Sequence, residues 1–172
     1  MPKDPTPCLT RHRDGTYTLR SVTRVARGHE QVFAFFSDAF NLERMTPPWV
    51  RFKVITPPPI TMRQGLLIDY LLRIHGIPMR WQSEITEWDP PHAFTDVQRR
   101  GPYRLWHHRH HFAAEGDGTR VTDEVQYGVP GGRIIHDMFV RRDVLSIFSY
   151  RTQALRAAMG LEPYDHTDTS RG

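Results

Sequence analysis

Apolar residues recur at helical spacing over the last long stretch of the chain, which runs from Arg133 to Met159 without glycine or proline. Their separations are three, four or sums of these, so they share one face of a helix. The main row is Ile134, Met138, Leu145, Phe148, Leu155 and Met159, and a second row is Ile135, Phe139, Val140, Val144 and Ile147. The pattern predicts one C-terminal helix, roughly 40 Å long, with Leu145 and Phe148 buried against a broad partner.

Upstream of this helix, alternation of apolar and polar residues indicates β-strands. The first predicted strand is Tyr17 to Val25, and it is followed by a helical pattern around Val32 to Phe36 and a second one over Asn41 to Met45. Prolines and glycines separate the strand patterns that come next. These strands are predicted at Val50 to Thr56, Leu66 to His75, Pro78 to Trp88, His92 to Arg99, Tyr103 to Ala113 and Thr119 to Val129.

The connections between the later strands are short turns, which leave no room for crossover helices. The sequence therefore predicts an α+β domain with a curved, seven-stranded antiparallel sheet, two short helices and a long C-terminal helix. This single domain spans residues 15–161, after a polar leader at 1–14 and before a polar tail at 162–172. The length of 172 residues suits one domain with a sizeable core.

The cysteine content, the first residues of the chain and the arginines of the last helix together indicate the cellular compartment. Cys8 is the only cysteine, which excludes an intrachain disulfide. The first residues are polar and contain prolines, unlike a secretory signal. Arginines interrupt the apolar rows of the last helix, which argues against stable membrane insertion. We therefore expect a cytoplasmic protein, and the sequence leaves its oligomeric state open.

The net charge of +4 is mildly basic, but lysines and arginines are spread along the chain among acidic residues. One local excess interleaves arginines with aromatic residues, at Arg99, Arg100, Tyr103, Arg104, Trp106 and Arg109. Such an edge suits single-stranded nucleic acid or another acidic macromolecule. No compact recognition motif accompanies it, so we expect no nucleic-acid partner and keep a basic interaction module as the weaker alternative.

Strand parity brings several polar side chains onto the face that meets the last helix. In the last strand Asp123 shares its face with the apolar Val121 and Val125, and a buried carboxylate needs partners. The preceding strand supplies His108 and His110 on the same face. Apolar walls with a few convergent polar groups are typical of a ligand pocket. The predicted ligand-binding residues are Trp81, Phe94, Asp96, Gln98, Trp106, His108, His110, Asp123, Tyr127 and Phe148.

Two alternatives to this pocket follow from the same residues. The polar groups would also be explained if they only satisfied one another and their cross-strand neighbours. A bulge in the histidine-rich strand would reverse the parity and turn His107 and His111 inward instead.

The four histidines between Trp106 and Phe112 raise the question of a metal site. On a strand only residues i and i+2 converge, so each face supplies two histidine ligands, and a third ligand would have to be Asp96 or Asp123. On this reasoning we expect a polar network, with neither a metal nor a cofactor.

Covalent catalysis has little support in the sequence. Cys8 lies in the polar leader, and no serine follows the pattern of a strained glycine elbow. No phosphate-binding loop is present in the glycine pattern either. We therefore assign no catalytic residue, although acid or base chemistry by the inward aspartates and histidines stays open.

Several short motifs resemble one known superfamily. They are Val32-Phe33-Ala34-Phe35-Phe36, Asn41-Leu42, Thr46-Pro47-Pro48-Trp49, Gly101-Pro102-Tyr103 with Trp106, His108 and His110, and Tyr127-Gly128-Val129-Pro130. Together with the order of the elements, they resemble the START-like or SRPBCC helix-grip superfamily, in its bacterial, polyketide cyclase-like branch, over residues 15–161. The resemblance implies a cavity between sheet and last helix that binds a small hydrophobic or aromatic-polar molecule. A cyclase or dehydratase that uses the same pocket is the alternative.

Overall fold

The structure is a computed structural model that describes residues 4–160. Eight strands form one antiparallel sheet with the order β1-β2-β8-β7-β6-β5-β4-β3. The strands are β1 Cys8–Arg11, β2 Tyr17–Val25, β3 Lys53–Val54, β4 Leu67–Ile74, β5 Ile77–Asp89, β6 Ala93–Arg100, β7 Leu105–Glu115 and β8 Gly118–Gly128. From β4 to β8 each strand pairs with the next along the chain, and β2 closes onto β8. The predicted α+β meander is confirmed.

The helices lie where the change from strand to helical period placed them. Two short helices follow β2, and a long one ends the described chain. The helical segments are α1 His29–Phe36, α2 Asn41–Met45, a 3₁₀ turn Pro48–Val50, α3 Gly132–Ile135, a π-helical segment His136–Val140 and α4 Arg141–Ala158. Both short helices were predicted.

The sheet has eight strands where the sequence predicted seven. The additional strand, β1, lies inside the segment 1–14 that was expected to be a polar leader, and it pairs with β2 from Cys8 opposite Arg20 to Arg11 opposite Tyr17. It is mostly exposed and carries no apolar alternation, so the sequence pattern gave no signal for it. Backbone pairing with the free edge of β2 forms it. The predicted tail at 162–172 lies outside the described residues.

The predicted long C-terminal helix is confirmed, but its first third is not buried as the apolar rows predicted. A π-helical segment separates α3 from α4, and its wider turn rotates the apolar row away from the face that α4 presents to the sheet. Ile134 is 71% exposed and Met138 is 65% exposed, whereas Phe148 is buried as predicted. Leu145 is only half-buried. The apolar stripe therefore packs on the core only from Val140 onward.

Two apolar clusters fill the space between sheet and helices. The first lies under α1 and includes Phe33, Phe36, Ile85, Phe94, Phe112 and Leu155. The second lies under α4 and includes Tyr17, Leu19, Val125, Tyr127, Val144 and Phe148. The ring of Phe36 is 5.8 Å from that of His110, and the ring of Phe148 is 5.6 Å from that of His108. Polar side chains from the centre of the sheet thus lie where the two clusters meet.

None of the helices among residues 4–160 is long and apolar enough to cross a bilayer.

Candidate functional site

The two faces of β7 carry its histidines as the parity predicted. His108 and His110 are 3% and 4% exposed, while His111 points to solvent. The register shifts of the central sheet lie in the β5–β6 pair, and β7 pairs with β8 without interruption. The alternation along β7 is therefore unbroken, and the alternative in which a bulge reverses the parity does not occur.

Strand register brings four ionisable side chains together at the centre of the sheet. His108 lies opposite Asp96 on β6, and His110 lies opposite Asp123 on β8. We call Asp96, His108, His110 and Asp123 the Asp–His cluster. Each imidazole in it lies between the two carboxylates, because the strands that carry the acids flank β7 on both sides.

Distances within the Asp–His cluster are short on every side. His108 Nε2 is 3.1 Å from Asp123 Oδ1, and His110 Nε2 is 3.2 Å from Asp96 Oδ2, both with hydrogen-bond geometry. His108 Nδ1 is 3.5 Å from Asp96 Oδ2, and His110 Nδ1 is 2.8 Å from Asp123 Oδ1. The last contact lacks hydrogen-bond geometry, so among the described residues His110 Nδ1 is a buried nitrogen without a hydrogen-bond partner.

Burial and mutual contact change the protonation of all four groups. Burial lowers the pKa of His108 to about 4, and the charge of His110 contributes in the same direction. Burial also opposes the charged form of His110, but its contacts with Asp123 and Asp96 outweigh this and raise its pKa. Burial disfavours ionisation of both aspartates, yet the histidines lower the pKa of Asp96 and hold that of Asp123 well below its usual value. At neutral pH these shifts favour two carboxylates and a neutral His108, while the contacts of His110 with both acids favour its charged form.

A cavity of about 160 Å³ lies between the sheet, α4 and the region of α1 and α2. Its wall is mainly aromatic and aliphatic, and includes Phe36, Trp81, Phe94, Trp106, Ile147 and Phe148. Asp96, His108 and His110 lie on it, whereas Asp123 does not and instead supports both histidines from behind. Most of the cavity wall is therefore apolar, and Asp96, His108 and His110 form one polar patch on it, which we call the polar floor.

A short hydrogen-bond chain ties this floor to the wall. The indole Nε1 of Trp81 donates to Ser83 Oγ at 3.0 Å, and Ser83 Oγ donates to Asp96 Oδ1 at 3.3 Å. Asp96 is thereby held by Ser83 on one side and by His110 on the other. Its position and its ionised form follow from neighbours on the two flanking strands, β5 and β7.

Seven of the ten predicted ligand-binding residues lie on the cavity wall. They are Trp81, Phe94, Asp96, Trp106, His108, His110 and Phe148. That they bind a ligand stays a prediction. Gln98 was placed wrongly, because its amide Nε2 donates to the backbone oxygen of Tyr103 at 2.7 Å and so closes the turn after β6.

Tyr127 lies behind the cavity wall, where its ring packs against those of Tyr103 and Trp106 and its hydroxyl joins a different buried group. Its hydroxyl contacts His136 Nε2 at 3.0 Å, and the His136 ring stacks on Tyr17 with ring centres 3.5 Å apart. His136 Nδ1 in turn contacts Asp137 Oδ1 at 2.9 Å. This group fixes the π-helical segment to β2 and β8, and the assignment of Tyr127 to the pocket was wrong.

Several polar residues of the cavity were not predicted from the sequence, and three of them stand out. Tyr70, Tyr103 and Arg151 all lie on its wall. Burial raises the pKa of both tyrosines well above the usual value, so each hydroxyl stays protonated. Neither hydroxyl has a hydrogen-bond partner among residues 4–160. The parity of Tyr70 with Ile68 and Leu72, and the position of Arg151 three residues after Phe148, are signals that would have found two of them.

A family model described as "Polyketide cyclase / dehydrase and lipid transport" matches residues 25–143, which is more than half of the chain. The chain belongs to this family. The matched segment contains every member of the Asp–His cluster. The family description names two kinds of activity on hydrophobic molecules, and the helix-grip resemblance seen in the sequence is confirmed.

Solved structures with this fold share little sequence with the chain. A solution structure of a protein from Arthrobacter aurescens has a TM-score of 0.68 at 13% identity, covering 97% of this chain and 100% of that one. Protein Ms6760 from Mycobacterium smegmatis has a TM-score of 0.64 at 19% identity, covering 91% and 98%. Major latex-like protein 151 from Panax ginseng has a TM-score of 0.63 at 15% identity, covering 84% and 97%. No curated protein matches the chain in sequence.

Proposed function

We propose that this protein binds a small, largely apolar molecule that carries one uncharged polar group. The observation that carries the proposal is the cavity with aromatic walls and a buried polar floor, which is the usual composition of a small-molecule site. Membership of a family described by polyketide chemistry and lipid transport supports a hydrophobic ligand.

The cavity volume limits the size of the ligand. An apolar cavity of roughly 150 Å³ holds a benzene ring, and the volume here is about 160 Å³. A molecule of one or two rings fits this space, whereas a long acyl chain or a four-ring polyketide needs more. The ligand is therefore a mono- or bicyclic compound.

The charges on the cavity wall limit which polar group the ligand can carry. The negative charges of Asp96 and Asp123 are already met by their contacts with His110 and by the charge of Arg151, which acts on both aspartates. A further net charge on the ligand would be buried without compensation. The hydroxyls of Tyr70 and Tyr103 are available to donate, so a carbonyl or hydroxyl oxygen is the group that fits.

Filling the cavity with protein tests the proposal. Ala39 lies on the cavity wall, and Ala34 is an exposed residue of nearby α1. Ala39→Leu should weaken binding of 1-naphthol by tenfold or more in calorimetry, because the added side chain occupies the space of the ligand. Ala34→Leu makes the same change toward solvent and should leave binding unaltered. Equal binding by Ala39→Leu and the unaltered protein would place the ligand elsewhere.

Two ligands that differ by one hydroxyl distinguish the polar contribution to binding from the apolar one. Tyr103→Phe removes one hydroxyl and should weaken 1-naphthol by about 0.5 to 1.5 kcal/mol, the usual contribution of one hydrogen bond. Naphthalene lacks the oxygen and should bind the variant unchanged. If neither compound binds, and mass spectrometry finds no small molecule retained by gently purified protein, the binding function is wrong.

A second function, a cyclase or dehydratase reaction, is favoured by one observation. His108 faces the cavity as a neutral imidazole between two carboxylates, and such a group accepts a proton from carbon next to a carbonyl. If a bound ketone is converted, and His108→Ala lowers the rate while its affinity is unchanged, the enzyme assignment replaces simple binding.

A further inference from the structure

We propose that the Asp–His cluster is a binding site for one divalent transition-metal ion, with Asp96 Oδ2, His108 Nδ1 and His110 Nε2 as ligands. These three residues present ligand atoms that all lie within 4.8 Å of one another. From the sequence we expected no metal, because one strand face supplies only two histidines and a third ligand would have to be Asp96 or Asp123. Asp96 on the neighbouring strand completes the set, and the site is independent of which organic ligand the cavity takes.

The separations between the three atoms suit a single ion. Ligand atoms around a tetrahedral zinc, with bonds of about 2.0 to 2.1 Å, lie roughly 3.3 Å apart. Asp96 Oδ2 is 3.2 Å from His110 Nε2 and 3.5 Å from His108 Nδ1. These two separations lie on either side of the tetrahedral value, and the two nitrogens lie within 4.8 Å of each other, so we infer that side-chain rotations suffice to bring all three atoms onto one ion.

Asp123 occupies the position of a supporting carboxylate. Metal-binding histidines usually donate their second ring N–H to an acid, which fixes the ring and its tautomer. Asp123 Oδ1 is 3.1 Å from His108 Nε2 and 2.8 Å from His110 Nδ1, and these are the two nitrogens that the metal would leave free. His110 Nδ1 is also the buried nitrogen that lacks hydrogen-bond geometry. A small ring rotation on metal binding would give it that geometry.

Formal charge points the same way. Metal ligation takes both imidazoles in their neutral form, so the two carboxylates of the cluster then carry a formal charge of −2, which a divalent ion offsets. Buried charge without compensation is costly. Zinc fits this donor set, as does iron(II), which favours two histidines and a carboxylate with open positions. Calcium and magnesium prefer oxygen ligands throughout. The open position faces the cavity, because Asp96, His108 and His110 line it.

Cobalt(II) and zinc titrations test the site on full-length protein without a histidine tag, after dialysis against chelator and with no organic ligand present. We expect one equivalent of cobalt to bind with visible d–d absorption, and one equivalent of zinc to displace it. Asp96→Asn should weaken zinc at least 100-fold. Asp123→Asn keeps all three ligands and should weaken zinc about 10- to 100-fold, as loss of a supporting partner does.

The outward histidines supply the control. His107→Ala with His111→Ala should leave zinc affinity unchanged, since neither side chain faces the cluster. In unaltered protein, zinc should shift the imidazole nitrogen resonances of His108 and His110 and leave those of His107 and His111 in place, a measurement that needs no variant to fold. Absence of a one-to-one complex, binding that survives Asp96→Asn, or shifts confined to the outward pair would overturn the proposal. Because no organic ligand is used, such a failure leaves the cavity-binding test intact.

Discussion

The two faces of β7 hold the same residue type in opposite circumstances. His108 and His110 are enclosed by Asp96, Asp123 and aromatic rings, while His111, one residue further, points into solvent. Sequence distance does not separate these histidines, because they are consecutive or nearly so. What separates them is the side of the sheet, which sets the dielectric surroundings, the partners and therefore the chemistry of each ring.

The outer face shows how much an exposed residue of β7 contributes to the stability of the fold. Arg109 lies opposite Thr95 on β6 and Glu124 on β8, and both it and Glu124 are exposed. Pairs of this kind keep the sheet soluble and contribute little to stability. The inner face contributes both the core and the site, so substitutions on the two faces should differ in size.

The largest difference is expected at Phe112, which is 1% exposed and packs on the rings of Phe33, Phe36 and Phe94. Phe112→Ala should lower the free energy of unfolding by about 3 to 5 kcal/mol. His111→Ala, its neighbour on the outer face, should change it by less than about 0.5 kcal/mol. Urea unfolding with an unchanged m value measures both, and equal losses for the two variants would refute the assignment of faces.

An intermediate difference in the free energy of unfolding is expected when a histidine on each face is replaced by phenylalanine. His110→Phe keeps a ring that stacks on Phe94, with centres now 4.2 Å apart, but removes both nitrogens that contact the carboxylates. In metal-free protein it should cost about 1.5 to 3 kcal/mol, the value of a hydrogen bond to a charged group. His111→Phe makes the same change toward solvent and should stay within about 0.5 kcal/mol. A neutral result at His110 would mean that the cluster contributes nothing to stability.

The smallest effect is expected at Arg109. Arg109→Ala removes the charge opposite Glu124 and should cost about 0.2 to 1 kcal/mol, falling further in high salt because the pair is exposed. Arg109→Lys keeps the charge and should cost less. Urea unfolding at low and high salt measures this. A loss well above 1 kcal/mol, or one insensitive to salt, would mean that the outer face packs against something.

The inner face of β7 was predictable because strand parity is a local rule and the β7–β8 pairing obeys it without a bulge. The same kind of rule failed over residues 133–140, since periodicity carries over only while the helix keeps its pitch, and the π-helical segment breaks it. Gln98 does not line the cavity for another reason. It lies near the end of β6, and its long side chain bonds to the backbone of the next turn, a contact that strand parity does not predict.

The size of the cavity could not be predicted from the sequence. Its volume depends on how far α1, α2 and α4 stand from the sheet, which no strand pattern encodes. Asp123 illustrates the limit, because its burial and its histidine partners were predicted, whereas its position behind the rings, away from the cavity, follows only from the register of three strands.

The pairing of β2 with β8 has a consequence for how the chain is made. β2 is synthesised early, directly after β1, but its other partner, β8, is the last strand of the described chain, so β2 has only the short β1 to pair with for most of translation. The β4–β8 meander needs only neighbouring strands and is able to assemble earlier. The order of synthesis and the order of assembly are therefore opposed. Until β8 is made, β2 and the phenylalanine-rich α1 expose apolar side chains that the finished fold buries.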